Sequence, residues 1–381
     1  MPYQEDFGVE QFMNEYETNI AYNLAETCCF SLSLGEIGDL CGRNFEFDNK
    51  KRLSYGAIKG SDELRSLIAS TYGPDFTKED VLVTNGAIAA NFLLYYALAG
   101  PGDHVISVAP TYSQLHSVPS MFGSEVELIQ LQEDKDYNIN GKNLKSMIKS
   151  NTKIIILNNP NNPLGKLMNT DTLRKICSLC AENKIYLHCD EVYRPMFHSL
   201  PADVSEPPSI CELYDNGIST GSMSKAYSAA GIRVGWIITK NKDLIRTALS
   251  RRDYNTISVS MVDDMIAQYI LRNREHVIRR NYQLCQENLK TLREFLDRNS
   301  EKFEFVTYPQ SGCVCLVRPI GIKDSEKFAR HLAEEWKVLA VPGDLFGVPN
   351  SLRIGYGNSK QDLLNGLPVL EKAYDQWKSL Q

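Results

Sequence analysis

Between Asp80 and Cys189 short apolar runs alternate with longer amphipathic ones, and this alternation constrains the fold more than any other feature of the chain. Val81–Thr84, His104–Val108, Glu125–Leu131, Lys153–Leu157 and Ile185–Cys189 read as strands. Gly86–Leu98, a stretch from Tyr112, residues near Asn143–Lys149 and Thr170–Glu182 read as the intervening helices. Lys153–Leu157 has the apolar character of a strand buried on both faces. The pattern predicts an α/β fold with a mostly parallel sheet between two layers of helices. Active sites in such sheets gather at the carboxyl ends of the strands, so residues that follow a strand are the ones to weigh.

One such place lies after Ile218–Thr220, in Gly221-Ser222-Met223-Ser224-Lys225, with Arg233 eight positions beyond the lysine and a further strand expected over Ile232–Thr239. A lysine on a tight connection between buried strands is partly desolvated; its amine is expected to have a lowered pKa and to form a Schiff base with an aldehyde. Ser222 and Arg233 can hold a phosphate on the same side, the arginine as a two-pronged donor. Amine, hydroxyl and guanidinium at this spacing suit pyridoxal 5'-phosphate. After Val81–Thr84, Gly86 lets the backbone approach closely where a helix begins, and the first amides, Gly86, Ala87 and Ile88, make an anion site. Asp190 closes its strand, where a carboxylate can keep a pyridine nitrogen protonated and the ring a good electron sink. Glu191 is expected to point away.

These segments, in their order, resemble the class I/II aminotransferases, which are fold-type I pyridoxal-phosphate enzymes. The likeness rests on Ser222-x-x-Lys225 with Gly231-x-Arg233-x-Gly235, on Asn159-Pro160-Asn161-Asn162-Pro163-Leu164-Gly165, on Asp190-x-x-Tyr193, and on Ser351-Leu352-Arg353-Ile354-Gly355; it runs from about Tyr22 to Tyr356. Leu164 and Ile88 stand where the family more often has threonine and a polar residue. The resemblance implies that Asn162 and Tyr193 meet the cofactor's phenolic oxygen, Tyr112 stacks on its ring and Arg353 binds the substrate α-carboxylate. It also implies that Tyr55 of a neighbouring subunit touches the phosphate, hence a homodimer with shared active sites. Lys225, Asp190 and Tyr193 are the expected catalytic residues, with no metal.

A fold-type I chain is expected to have a large cofactor domain (50–255) and a smaller α/β domain from residues 1–49 and 256–381. The second part reads as a long helical region over Ser258–Arg298, then Gly312–Val317, the helix Ser325–Glu335, and strands Val338–Val341 and Leu352–Tyr356. At 381 residues the chain can support two cores. Its net charge of −6, without a basic run, argues against nucleic acid or an anionic membrane as partner. No run approaches the ~20 apolar residues of a membrane span, and Met1–Glu10 lacks the marks of a signal peptide. Ten cysteines with no secretory signal read as reduced cytoplasmic thiols. Cys177-x-x-Cys180, Cys28-Cys29 and Cys313-x-Cys315 read as core packing.

The expected reaction is exchange of an amino group between an L-amino acid and a 2-oxo acid. An alternative comes from Asn23-Leu24-Ala25-Glu26, followed by Ser31-Leu32, which resembles a segment of 1-aminocyclopropane-1-carboxylate synthases. In those lyases the glutamate lies by the substrate, S-adenosylmethionine, so Glu26 can be expected to meet a sulfonium or guanidinium. A lyase, γ-replacement or cyclase reaction would follow. A catalytically inactive binding homologue would lack one of Lys225, Asp190, Tyr193 and Arg353, and all four are present. No second carboxylate-binding arginine can be placed by motif.

Overall fold

The computed structural model describes residues 4–380. Seven strands form one sheet: β1 Val81–Thr84, β2 His104–Ala109, β3 Glu125–Gln130, β4 Thr152–Asn158, β5 Tyr186–Asp190, β6 Gly217–Ser222 and β7 Gly235–Ile238. Their spatial order is β1-β7-β6-β5-β4-β2-β3. Only β7 runs antiparallel to its neighbours. The six parallel strands therefore end on one rim. The register aligns Asn158 with Asp190 across β4 and β5, and Ser222 with Gly235 across β6 and β7, so candidate residues from distant parts of the chain share that rim.

Alternation within β4 explains why both faces are covered. Ile154 and Ile156 pack with Ala90, Leu93 and Leu94 of the helix Gly86–Leu98. Ile155 and Leu157 pack on the other face with Leu173, Ile176, Cys177 and Cys180 of the helix Thr170–Asn183. The Cys177 and Cys180 thiols are core-facing, as their helical spacing predicts.

Beyond β7 a second sheet forms from β8 Phe303–Phe305, β9 Val314–Pro319, β10 Val341–Pro342 and β11 Leu352–Gly355, antiparallel throughout in the order β10-β11-β9-β8. The expected helical stretch over Ser258–Arg298 is two helices, Met261–Arg272 and Arg274–Arg298, parted where Asn273 (φ −109°, ψ 16°) leaves helical geometry. The expected strand Val338–Val341 is also divided, its first half pairing in parallel with Tyr22–Asn23. That short pairing carries the N-terminal segment to the edge of the rim. Among the helices that were not anticipated are Lys242–Arg252 and Lys360–Ser379. Each opens on a side-chain cap, from Asn241 and Ser359.

Candidate active site

The rim opens into a cavity lined by Lys225, Asp190, Tyr193, Asn162, Ser222, Arg233, Tyr112 and Arg353, with Ala87 and Ile88 from one helix start and Glu26 from the N-terminal segment. Gly86, just before Ala87, has φ +81°, and a Cβ there would come within 2.6 Å of Arg233 Nη2. A Cβ on Gly235 would lie 2.3 Å from the Gly86 carbonyl carbon. The two glycines thus let a helix start, the beginning of β7 and the Arg233 guanidinium converge. Arg233 donates to Ala230 O at 2.8 Å and to Ser224 Oγ at 3.4 Å, and Ser224 N in turn donates to Ser222 Oγ at 3.2 Å.

Asp190 is buried and fixed from two sides. Asn91 Nδ2 donates to its Oδ2 at 2.8 Å and Val192 N to its Oδ1 at 3.0 Å. Burial raises its pKa, and these donors oppose the rise. Behind it runs a buried chain that the sequence did not reveal as a unit. Thr220 Oγ1 donates to Asn91 Oδ1 (2.7 Å), His188 Nε2 lies 3.0 Å from Thr220 Oγ1, and Tyr95 Oη lies 2.9 Å from His188 Nδ1. Because the threonine proton is committed to Asn91, Nε2 must carry the imidazole proton and Tyr95 must donate to Nδ1. Burial pushes the His188 pKa down to about 3, in keeping with a neutral ring. Asn91 is the lone amide in an otherwise apolar helix, and that was the available signal.

The asparagine-rich turn after β4 is held by its own side chains: Asn158 Oδ1 accepts from Asn162 N (2.7 Å), Asn161 Nδ2 donates to Pro110 O (3.0 Å), and Asn159 Oδ1 accepts from Met168 N (2.8 Å). Arg353, on β11 and 2% exposed, makes only long contacts, from Nη1 to Asn162 Oδ1 at 3.4 Å and from Nη2 to Ala25 O at 3.3 Å. Its Nε has no hydrogen-bond partner, and neither does Tyr193 Oη, 0% exposed. Two unpartnered buried polar atoms on one cavity leave hydrogen-bonding capacity there for a ligand to fill. Glu191 turns away, as expected, accepting from Ser209, Ser219, Ile210 and Arg194.

Three expectations change. Lys225 Nζ donates to Thr27 Oγ1 and lies 3.4 Å from Cys28 Sγ. Its amine was expected to be depressed. Burial does pull its pKa down, but Cys28, Tyr193, Glu26 and Tyr112 together raise it, and the net direction is up. Glu26 is the one of the four that is ionised near neutrality: burial would raise its pKa, but Lys225 and its contacts with Cys28 and Thr27 bring it down. Cys28, read as core packing, instead borders the cavity beside the lysine; burial pushes its thiol up to about 11. The third concerns the wall beside Tyr112, a residue that lines the cavity: its hydroxyl donates to Glu10 Oε1 at 2.8 Å while its ring lies 4.8 Å from that of Phe7. The helix Gly8–Tyr16, given no role from sequence, therefore closes one side of the cavity. Cys29 remains a core residue, its sulfur 3.2 Å from that of Cys313 and 3.9 Å from that of Cys285. Tyr55 is 79% exposed and lies away from the cavity, beside Ser258–Met261.

Residues 40–369 match the family model for aminotransferase class I and II. The chain is 27% identical over 348 residues to an aspartate aminotransferase of Streptomyces avermitilis, covering 87% of this chain and 84% of that one. It is 25% identical to a capreomycidine synthase of Streptomyces vinaceus, over 83% of this chain and 80% of the other. Among solved structures, a PLP-dependent aminotransferase from Streptococcus suis superposes with a TM-score of 0.92 at 33% identity, over 98% of both chains.

Proposed function

Since the chain belongs to the family of class I and II aminotransferases, we propose that it transfers the amino group of an L-amino acid to a 2-oxo acid, with pyridoxal 5'-phosphate held on Lys225. The observation that carries the reading is the convergence of Lys225, Asp190 and Arg353 on one cavity, where Tyr193 Oη and Arg353 Nε are buried and unpartnered. The residues present fit the cofactor. Asp190 would face its ring nitrogen, Tyr193 and Asn162 its phenolic oxygen, and Tyr112 its ring. Arg233, Ser222 and the amides of Gly86, Ala87 and Ile88 would take its phosphate, with Tyr55 reaching in from a second subunit of a cytoplasmic homodimer.

When bound, the cofactor supplies an aldehyde that joins the amine and a ring that accepts the electron pair left when a Cα proton departs. The chain does the rest. Arg353 offers a bidentate fork to the substrate α-carboxylate, which would give the buried guanidinium a directly bonded counter-charge. That grip aims Cα–H at Lys225 Nζ, whose free amine takes the proton as general base. Asn91 and the Val192 amide orient the Asp190 carboxylate and favour its ionised form against the rise that burial causes. Thr27 and Cys28 limit where Nζ can swing.

The likeness to a capreomycidine synthase and the place of Glu26 in the cavity support a second reading with the same machinery, elimination, replacement or cyclisation of the substrate. The experiment that tests both mixes the holoenzyme with L-amino acids and S-adenosylmethionine, with and without a 2-oxo acid, and follows products by mass. Keto-acid formation that depends on the acceptor is the expected result. Products that form without an acceptor would favour the second reading, and no reaction with any substrate would overturn both.

A further inference from the structure

Charge is distributed unevenly around the cavity. Three cations line it, Lys225, Arg233 and Arg353, against four carboxylates, Asp190, Glu10, Glu17 and Glu26. On the proposed function each cation already has a task, with the carbonyl carbon of the cofactor, its phosphate or the substrate α-carboxylate, and Asp190 is matched to the ring nitrogen. Among the described residues of this chain that line the cavity, no cation is left for a substrate side chain. Three carboxylates are.

All three come from the N-terminal wall, the helix Gly8–Tyr16 with its cap Glu17 and the segment that follows. Among the described residues none of them has a salt-bridge partner, whereas Glu15 of the same helix is paired with Arg330 at 3.0 Å, away from the cavity. Glu10 uses one oxygen on Tyr112 Oη, and Glu26 uses Oε1 on the amides of Thr27 and Cys28 at 2.7 and 2.9 Å. Among the described residues the other Glu10 oxygen accepts no side-chain hydrogen bond, while the Glu26 carboxylate also interacts with the Cys28 thiol. The charges of Glu10 and Glu26 both act on the Arg353 guanidinium, so they lie near where an amino acid would be gripped. That the cavity binds a ligand is indicated independently by the unpartnered Tyr193 Oη and Arg353 Nε.

We infer that this wall selects an amino-acid substrate with a cationic side chain and rejects dicarboxylates, Glu10 and Glu26 being the specificity-determining residues. The inference rests on the proposed function and sets its substrate class apart from the aspartate named for the Streptomyces avermitilis relative. A side-chain ammonium or guanidinium would gain a counter-charge in a partly desolvated site, while a side-chain carboxylate would meet only like charge. Guanidinium, ammonium and sulfonium share this chemistry.

The test uses holoenzyme with L-arginine, L-ornithine, S-adenosylmethionine, L-norleucine, L-aspartate and L-glutamate, each followed by equilibrium titration of the cofactor absorbance and by product formation. At least one cationic amino acid should bind and react ~10-fold better than L-norleucine, and the two dicarboxylates worse than it. Glu10→Gln and Glu26→Gln keep the hydrogen-bond geometry and remove the charge. Each should weaken binding and kcat/KM for the cationic substrate ~10-fold more than for L-norleucine, whatever either change does to both through Lys225 or Tyr112. Preference for a dicarboxylate, or an equal loss for the cationic and neutral substrates in both variants, would overturn the inference while leaving the amino-transfer reading intact. If no amino acid perturbs the bound cofactor, the proposed function falls and the substrate class falls with it.

Discussion

The two walls of the cavity are built by opposite means. On the rim of the large sheet, Asn158, Asp190 and Ser222 end parallel strands, and their polar atoms are committed to the protein before any ligand arrives. Asp190 is the terminus of a directed hydrogen-bond chain, and the asparagine turn beside it is pinned by its own amides. The N-terminal wall is a short helix and an irregular segment. It is tied to the smaller sheet side of the molecule by a two-residue strand pairing, by Leu24 N donating to Leu339 O, by Gly355 N donating to Leu24 O and by Asn358 Nδ2 donating to Cys28 O, while Asn23 Oδ1 accepts from Ala25 N and Glu26 N within the segment. Rigid strand ends suit the part of the chemistry that never varies. A wall that lies outside the large sheet can change the side chains it turns to the cavity without disturbing that sheet, and that is where substrate choice is expected to reside.

The comparison is sharpest at Lys225. Its replacement by alanine should abolish covalent retention of the cofactor, read by borohydride reduction and intact mass. Turnover should fall ~10²- to 10⁴-fold with every amino acid, whatever its side chain. If the loss depended strongly on the side chain, the division between an invariant rim and a selective wall would break.

Arg353 stands where the two walls meet, on β11 and against Ala25. Arg353→Lys retains the charge but not the fork. Losing one charged hydrogen bond of roughly 1.5–3 kcal/mol should raise KM for every α-amino acid about 10- to 100-fold, with a smaller change in kcat. An effect confined to kcat would mean that the guanidinium orients the reacting atoms and does not hold the carboxylate.

A smaller effect isolates the rim. Asn91→Leu removes a donor that lowers the Asp190 pKa against the rise caused by burial. The carboxylate would then take up a proton at higher pH, so the acidic limb of kcat/KM should move upward by about one pH unit, equally for all amino acids. A limb that does not move would show that Asn91 contributes nothing to the ionisation of Asp190.

How much was readable beforehand divides along the same line. The strands that form the rim leave their mark as short apolar runs, and the residues that follow them carry dense local motifs, so Lys225, Asp190, Asn162 and Arg233 could be placed from sequence. Glu10 and Cys28 could not. Their approach to the cavity depends on Tyr22–Asn23 pairing with Val338–Leu339, more than 300 residues away, and nothing local encodes that contact. Asn91 and His188 were hidden differently: each is one polar residue in an apolar element, and only the register across β5 and β6, with the helix above them, joins them through Thr220. The direction of the Lys225 shift was misjudged for the same reason. Burial was legible, but the groups that outweigh it come from three other parts of the chain.

The smallest expected effect concerns stability and tests the far end of the rim's hydrogen-bond chain. His188 has a folded-state pKa of about 3 against an ordinary 6.5. Between those values the unfolded chain binds a proton that the folded chain does not, so His188 makes the fold less stable as pH falls from 6.5 toward 3, and has no such effect above 6.5. At pH 5 this amounts to about 2 kcal/mol. His188→Gln can still accept from Tyr95 and donate to Thr220 but cannot titrate. Urea unfolding of the apoprotein at pH 7 and pH 5 should therefore show a smaller loss of midpoint for the variant than for the wild type. Identical losses would mean that the buried imidazole is protonated in the fold. In that case both of its nitrogens would donate, Thr220 would still pass its proton to Asn91, and the Tyr95 hydroxyl would have to accept, reversing the first link of the chain that ends on Asp190.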